Sequence, residues 1–411
     1  MAVSNIGTED KSTGSSWVYD PKVRGILFQI LVFGGLIAWF VWISGNTLDN
    51  LAAQGKSLGF DFLVNTSGFS ILPTMGTWLL DYQVGVSTYW DVYLIGIVNT
   101  FVVAILGVIA ATLLGFVLGI FRLSNNFVLK VFSGVYIEMF RNIPLLLWLF
   151  IFYFGVLRSL PDKRSVTELF GKSVGINITG LYLPAPIVHP GFWMTGVAVL
   201  IGLIFWIFVH KWAKQRQQAT GEQFPTVWAG LGAVVVLGLG TFLLTGSPLE
   251  WEIPVFKTDG PMLRRGYEQG IGMVVVPELI AVWAALTFYT ASFIAEIVRA
   301  GILAVSHGQT EAAHALGLRN STTLNLVIIP QAMRVIIPPL TSQFLNLIKN
   351  SSLAVAIAYP ELVSIFAGTA LNQVGKEVEM IFMMMLVYLT FSILTAAFMN
   401  WFNSKMKLVE R

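Results

Sequence analysis

Cysteine is absent from all 411 residues, which excludes a disulfide framework, a Cys-ligated zinc and a thiol nucleophile. Charge is scarce too: Asp, Glu, Lys and Arg make up 11% of the chain, less than half of the ~25% usual in soluble domains. No Gly-x-x-x-x-Gly-Lys-Ser/Thr phosphate loop occurs. Gly171-Lys172-Ser173 has the end of one, but Val166 stands where the first Gly is needed. The four histidines, His189, His210, His307 and His314, are scattered without metal-ligand spacing, so no metal site is predicted. Neither a nucleophile elbow nor a zinc-type His-Glu-x-x-His is present. These absences argue against an enzyme.

What remains is apolar. Hydrophobic residues reach 55% and the mean hydropathy is +0.74, the composition of an integral membrane protein. The net charge of +3 is small. Basic residues flanking spans account for the isoelectric point near 9.0, without nucleic-acid binding.

Residues 1–24 read as a polar cytoplasmic tail, rich in Ser, Thr and Gly and lacking a signal-peptide n-region. Apolar runs then predict an all-α, polytopic protein of about eight spans, each long enough for a ~30 Å hydrocarbon core. They fall at 25–43, 92–121, 131–157, 192–209, 228–244, 274–297, 324–366 and 380–402. Lys22 and Arg24 place the first start inside, and alternation then puts 210–216, the loop between the sixth and seventh spans and the C-terminus in the cytoplasm as well. Arg158, Lys163, Arg164 and Lys172 fall outside on this count, against the positive-inside bias, as do Arg264 and Arg265. The segment 46–90, acidic at Asp49, Asp61 and Asp81 with a single Lys56, suits the outer side. Gly96, Gly107, Gly115 and Gly119 recur along the second span with Ala104, Ala110 and Ala111, a pattern that permits close helix approach in lipid. That helix is expected to pack centrally. Pro144 is expected to kink the third span, with Glu138 and Arg141 on one helix face and able to pair.

Between two late spans lies QTEAAHALGLRNSTTLNLVIIPQAMRVIIPP, residues 309–339. Ser306 and Gln309 have the form of a capping box, and Gly317 is a natural helix stop. The helix between them is about ten residues, shorter than the ~12–15 needed for marginal stability alone in water. Ala312, Ala313 and Ala315 give it a smooth face, with Leu316 its only large apolar residue. We read it as a docking element. Glu311-Ala312-Ala313, with Gly317 six residues after the Glu and Val327-x-Ile329-Pro330 beyond, resembles the EAA loop of ABC-importer permeases.

The passage YIEMFRNIPLLLWLFIFYF, with Glu138, Arg141 and Pro144, resembles the corresponding helix of amino-acid ABC permeases. Lys349-Asn350-Ser351-Ser352, with Glu361 beyond, resembles a translocation-region stretch of the same family. The resemblance covers 92–157 and 274 to the C-terminus. Residues 25–157 then hold the first three spans, 271–411 the rest of a type I importer permease core with the docking loop, and 158–270 an insertion of outer loops and two extra spans.

The insertion and the outer segment 46–71 together resemble a membrane subunit of the general L-amino-acid transporters of Gram-negative bacteria. That resemblance implies a multi-pass inner-membrane permease importing L-amino acids from the periplasm by alternating access. It also implies a second homologous permease, ATP-binding cassette subunits that bind the ATP, and a periplasmic amino-acid-binding protein. The chain itself then carries no cofactor, and apart from lipid no other partner class is implied.

Ionisable groups near spans are expensive in lipid and mark function by default. Glu138, Arg141, Lys349 and Glu361, with Ser351 and Ser352, are therefore pathway candidates, beside a structural role as intramembrane pairs or snorkelling side chains. Glu296 and Arg299 are open to the same two readings. Charge-neutral replacement of Glu138 or Glu361 without effect on transport would count against a pathway role. Two other classes stay open on the residues alone: an ion-gradient-driven secondary transporter and a structural scaffold. An ABC permease for another small polar solute also remains.

Overall fold

A computed structural model describes residues 21–55, 58–258, 266–268 and 270–406. The tail 1–20, Lys56, Arg264, Arg265 and the last basic residues lie outside the described residues. The helices are α1 (Pro21–Ala53), α2 (Met75–Leu79), α3 (Tyr89–Arg122), α4 (Phe127–Asn142), α5 (Leu145–Phe150), α6 (Phe192–Thr220) and α7 (Thr226–Leu244). They continue with α8 (Pro277–Leu303), α9 (His307–Ala315), α10 (Asn320–Thr323), α11 (Ile329–Asn350), α12 (Leu371–Val374) and α13 (Glu377–Met406). Among the described residues, seven helical stretches are long and apolar enough to cross a membrane, and eight if the bent pair at α4 and α5 is one span.

Two compact units are present. One comprises residues up to Phe62 with Lys376–Glu379. Its α1 buries none of its own residues, and Gly59 N donates to the Glu379 carboxylate at 2.7 Å. The other comprises Leu63–Gly375 and residues from Met380 onward, and its core is the packing of α3 on α8. The glycine stripe of α3 does what its spacing predicts. A Cβ at Gly115 would lie 2.6 Å from Ile294, and one at Gly119 2.8 Å from the Ala295 carbonyl. Gly96 meets the backbone of Leu362 in the same way. Gly119→Leu is therefore expected to destabilise the chain by about 1–3 kcal/mol, the range for overpacking. Gly35→Leu, at a site with nothing within 4 Å, should leave the thermal unfolding temperature in detergent unchanged.

The third predicted span is broken where a kink was expected. α4 and the helix running on from α5 to Ser159 meet at 106°. Pro144 explains this: the residue before a proline is pushed out of the helical region, and Ile143 is extended at ψ 131°. Phe140 stacks on Trp148 at 4.1 Å across the corner. The seventh predicted span also ends earlier than 366. Its helix stops at Ile357, Ala358 turns the chain in the left-handed region at φ 59°, and Val363–Ala370 with α12 forms a separate short helix. Pro338 and Pro339 lie inside α11 without ending it.

Among the described residues, the segment after Ser159 contains eight short strands: β1 (Thr167–Leu169), β2 (Val174–Asn177), β3 (Gly180–Leu183), β4 (Ala185–Val188), β5 (Leu249–Glu252), β6 (Phe256–Lys257), β7 (Gly266–Tyr267) and β8 (Met273–Val275). Sequence reading treated these as loops. They form a nested antiparallel arrangement. β3 pairs with β8 at Leu181↔Val275, β4 with β5 at Ala185↔Glu252, and α6 and α7 form the hairpin inside. Gly202 against Val234 and Gly230 against Trp206 bring those two helices close.

Candidate functional site

Two places collect the residues singled out from sequence. The first is α9. Ser306 stands at its N-cap but makes no side-chain capping bond, so the capping box is not formed. Gln309 instead accepts from Gln331 Nε2 of α11 at 3.2 Å, which joins the docking stretch to the next long helix. The C-terminus follows the expectation. Gly317 is left-handed at φ +71°, Leu318 N donates to the Ala313 carbonyl and Gly317 N to that of His314. These are the two bonds of a Schellman stop. Ala313 is buried, whereas Glu311, Ala312 and Ala315 are exposed and Leu316 is 80% exposed. Glu311 pairs with His307 at 3.0 Å on the same exposed face. Pro330 lies in the first turn of α11, half-buried. The helix thus presents a small-residue face and a bare leucine.

The second place is the end of α11. Lys349 is exposed, Ser351 is buried and Ser352 half-buried. Both serine hydroxyls bond back to backbone carbonyls, of Ile348 and Lys349. Glu361 is 0% exposed. Its carboxylate accepts from Val363 N and Ser364 N, both at 2.8 Å, and from the Tyr388 hydroxyl at 3.1 Å. The hydroxyls of Ser351 and Thr100 lie close enough to Tyr388 to interact with it electrostatically. Asn99 completes the group. Its Nδ2 donates to Pro360 O at 2.7 Å, and its Oδ1 accepts from Gly76 N at 3.0 Å. Thr100 Oγ1 accepts from Leu362 N at 3.1 Å. Glu361 therefore caps the short helix that follows it and ties three segments together.

Glu138 and Arg141 do not join this group. Glu138 accepts from Asn142 at 3.2 Å, and the Arg141 guanidinium lies 5.3 Å from the Phe293 ring centroid. Among the described residues no ion pair links the two, because the helix face they share leaves each a nearer partner. Glu296 and Arg299 do pair, with Arg299 Nε at 3.0 Å from Glu296 Oε1. Asn99, Thr100 and Tyr388 were not singled out from sequence. They lie far from Glu361 in the chain, and a lone polar residue in an apolar run carries no pattern that names its partner.

Comparison with known proteins bears on this arrangement. The chain is 46% identical over 97% of both chains to the General L-amino acid transport system permease protein AapQ of Rhizobium johnstonii. It belongs to the family of binding-protein-dependent transport system inner membrane components. The family description itself matches residues 224–408, from the start of α7 through α13. YhdX of Escherichia coli is 45% identical, with 97% of this chain and 98% of that one covered. The glutamate/glutamine/aspartate/asparagine transport system permease protein BztB of Rhodobacter capsulatus is 39% identical over 97% of each. Covering 97% of this chain, these alignments take in the 158–270 segment as well. The chain is thus a multi-pass inner-membrane transport component and not an enzyme.

Proposed function

We propose that the chain is the permease subunit of an ATP-driven importer that moves L-amino acids from periplasm to cytoplasm. The observation that carries this reading is α9. It is a nine-residue helix held to α11 through Gln309 and Gln331, with Ala312, Ala315 and Leu316 facing outward. A helix this short gains little from its own burial, and a bare leucine beside small residues suits a cleft in another protein. In this reading the occupant of that face is an ATP-binding cassette subunit, which binds the ATP. Glu311, Ala312, Ala313, Gly317 and Pro330 form or brace the docking surface. The amino-acid substrate class follows the names of the full-length relatives. A second homologous permease and a periplasmic binding protein complete the assembly, and both termini lie in the cytoplasm. Ser351 and Glu361 act in the pathway region as a fixed framework, while Lys349, Glu138 and Arg141 supply accessible charge.

The test is reconstitution of the chain with its co-purifying subunits in liposomes. Labelled L-amino acids should enter only with ATP and the binding protein present. Uptake driven by an imposed ion gradient without ATP would overturn the reading.

A further inference from the structure

A depression of about 200 Å³ is lined by Tyr153, Leu157, Arg158, Ile178 and Pro277. It lies at the end of α8 away from α9, where the chain leaving α5 meets the turn between β2 and β3. That volume is below the ~300–1,000 Å³ of sites for drug-sized ligands, so it has room only for a small molecule. Two opposite charges flank the Tyr153 hydroxyl. Glu278 Oε1 accepts from it at 2.9 Å, and Arg158 interacts electrostatically with the same ring. The Arg158 guanidinium is laid over Phe154, 5.2 Å from its centroid, a contact that restricts its rotamers. Among the described residues Arg158 has no carboxylate within ion-pair distance, and Glu278 Oε2 makes no hydrogen bond. A cation and an anion held near one cavity without pairing each other match a ligand that carries both charges.

We propose that Arg158, Tyr153 and Glu278 form a binding site for the α-carboxylate and α-ammonium groups of a free L-amino acid. This rests on the transport reading above and deepens it. The guanidinium takes the carboxylate, for which its planar fork is suited, and Glu278 Oε2 takes the ammonium. Leu157, Ile178 and Pro277 offer an apolar wall with no group to select one side chain. Such a site recognises what all L-amino acids share and leaves the rest unread.

The experiment uses the assembled transporter, with L-glutamine as the probe. Binding without ATP or binding protein and the KM of ATP-driven uptake are both measured. Arg158→Gln and Glu278→Gln should each weaken binding and raise KM by about 10-fold or more, as expected for loss of a hydrogen bond to a charged group. Arg158→Lys should restore part of the affinity, which separates charge recognition from misfolding. The decarboxylated amine of glutamine should bind the wild type poorly and be less disfavoured by Arg158→Gln. Unchanged KM and binding in both neutral variants, with wild-type uptake intact, would overturn the site and leave the transport reading standing. A wild-type complex that takes up none of a mixture of L-amino acids would overturn the transport reading, and the site's ligand with it.

Discussion

Gly317→Asp is expected to reduce recovery of an ATPase subunit with the purified chain at least ~30-fold, and ATP-driven uptake with it. A Cβ at this position meets nothing within 4 Å in the chain itself, and Asp tolerates the left-handed region better than most residues. The fold should therefore survive, with an unfolding temperature close to wild type. The penalty falls on the complex, where an unpaired charge buried at an interface costs about 2–5 kcal/mol. Gly317→Ala keeps the surface neutral and costs only the φ strain of about 1–2 kcal/mol, so it should retain much of the partner. Quantified co-purification in mild detergent measures both. Equal ATPase recovery from wild type and Gly317→Asp would remove α9 from the docking surface.

The second large effect is at Glu361. Glu361→Ala removes the acceptor for Val363 N, Ser364 N and the Tyr388 hydroxyl together. Those donors lose their acceptor, and a buried donor left unsatisfied costs about 1–3 kcal/mol. The expected result is a lower yield of folded protein in the membrane and an unfolding temperature down by several degrees. Glu361→Gln keeps one carbonyl acceptor and should lose less. If the two variants unfold like wild type while transport falls, Glu361 serves the pathway directly. If stability and transport fall in parallel, its work is architectural.

The sequence made some of this legible because the relevant signals are local. Long apolar runs marked the spans, the four glycines of α3 marked the helix that α8 packs against, and Gly317 marked its own turn. A residue type at a fixed offset needs no knowledge of the rest of the chain. The misreadings share the opposite property. Ser306 was expected to cap α9 with Gln309, but Gln331 of α11 engages Gln309 across a gap that no helical spacing encodes. At Pro144 the expected kink is a 106° corner, and Phe140 stacks on Trp148 across it in a contact that no helical spacing encodes. The strands of 158–270 escaped because each has only two to four residues, too few for an alternation to show. The partners of β3 and β4, which are β8 and β5, also lie on the far side of two helices. Glu361 was found as a charge in a costly place, but its use as a cap depended on Thr100 and Tyr388 from distant segments.

The pairing of β3 with β8 has a consequence for how such a permease is put together. Leu183 and Met273 are opposite one another on neighbouring strands, so the chain leaves and re-enters the sheet about 5 Å apart. A gap of that size is the one a two-residue hairpin turn closes. The chain between them, hairpin helices included, departs and returns at one place in the sheet. The helical core that follows at Pro277 has the same starting place whether that stretch is long or short. A segment joined in this way can lengthen, shrink or be exchanged in evolution without asking α3 or α8 to move.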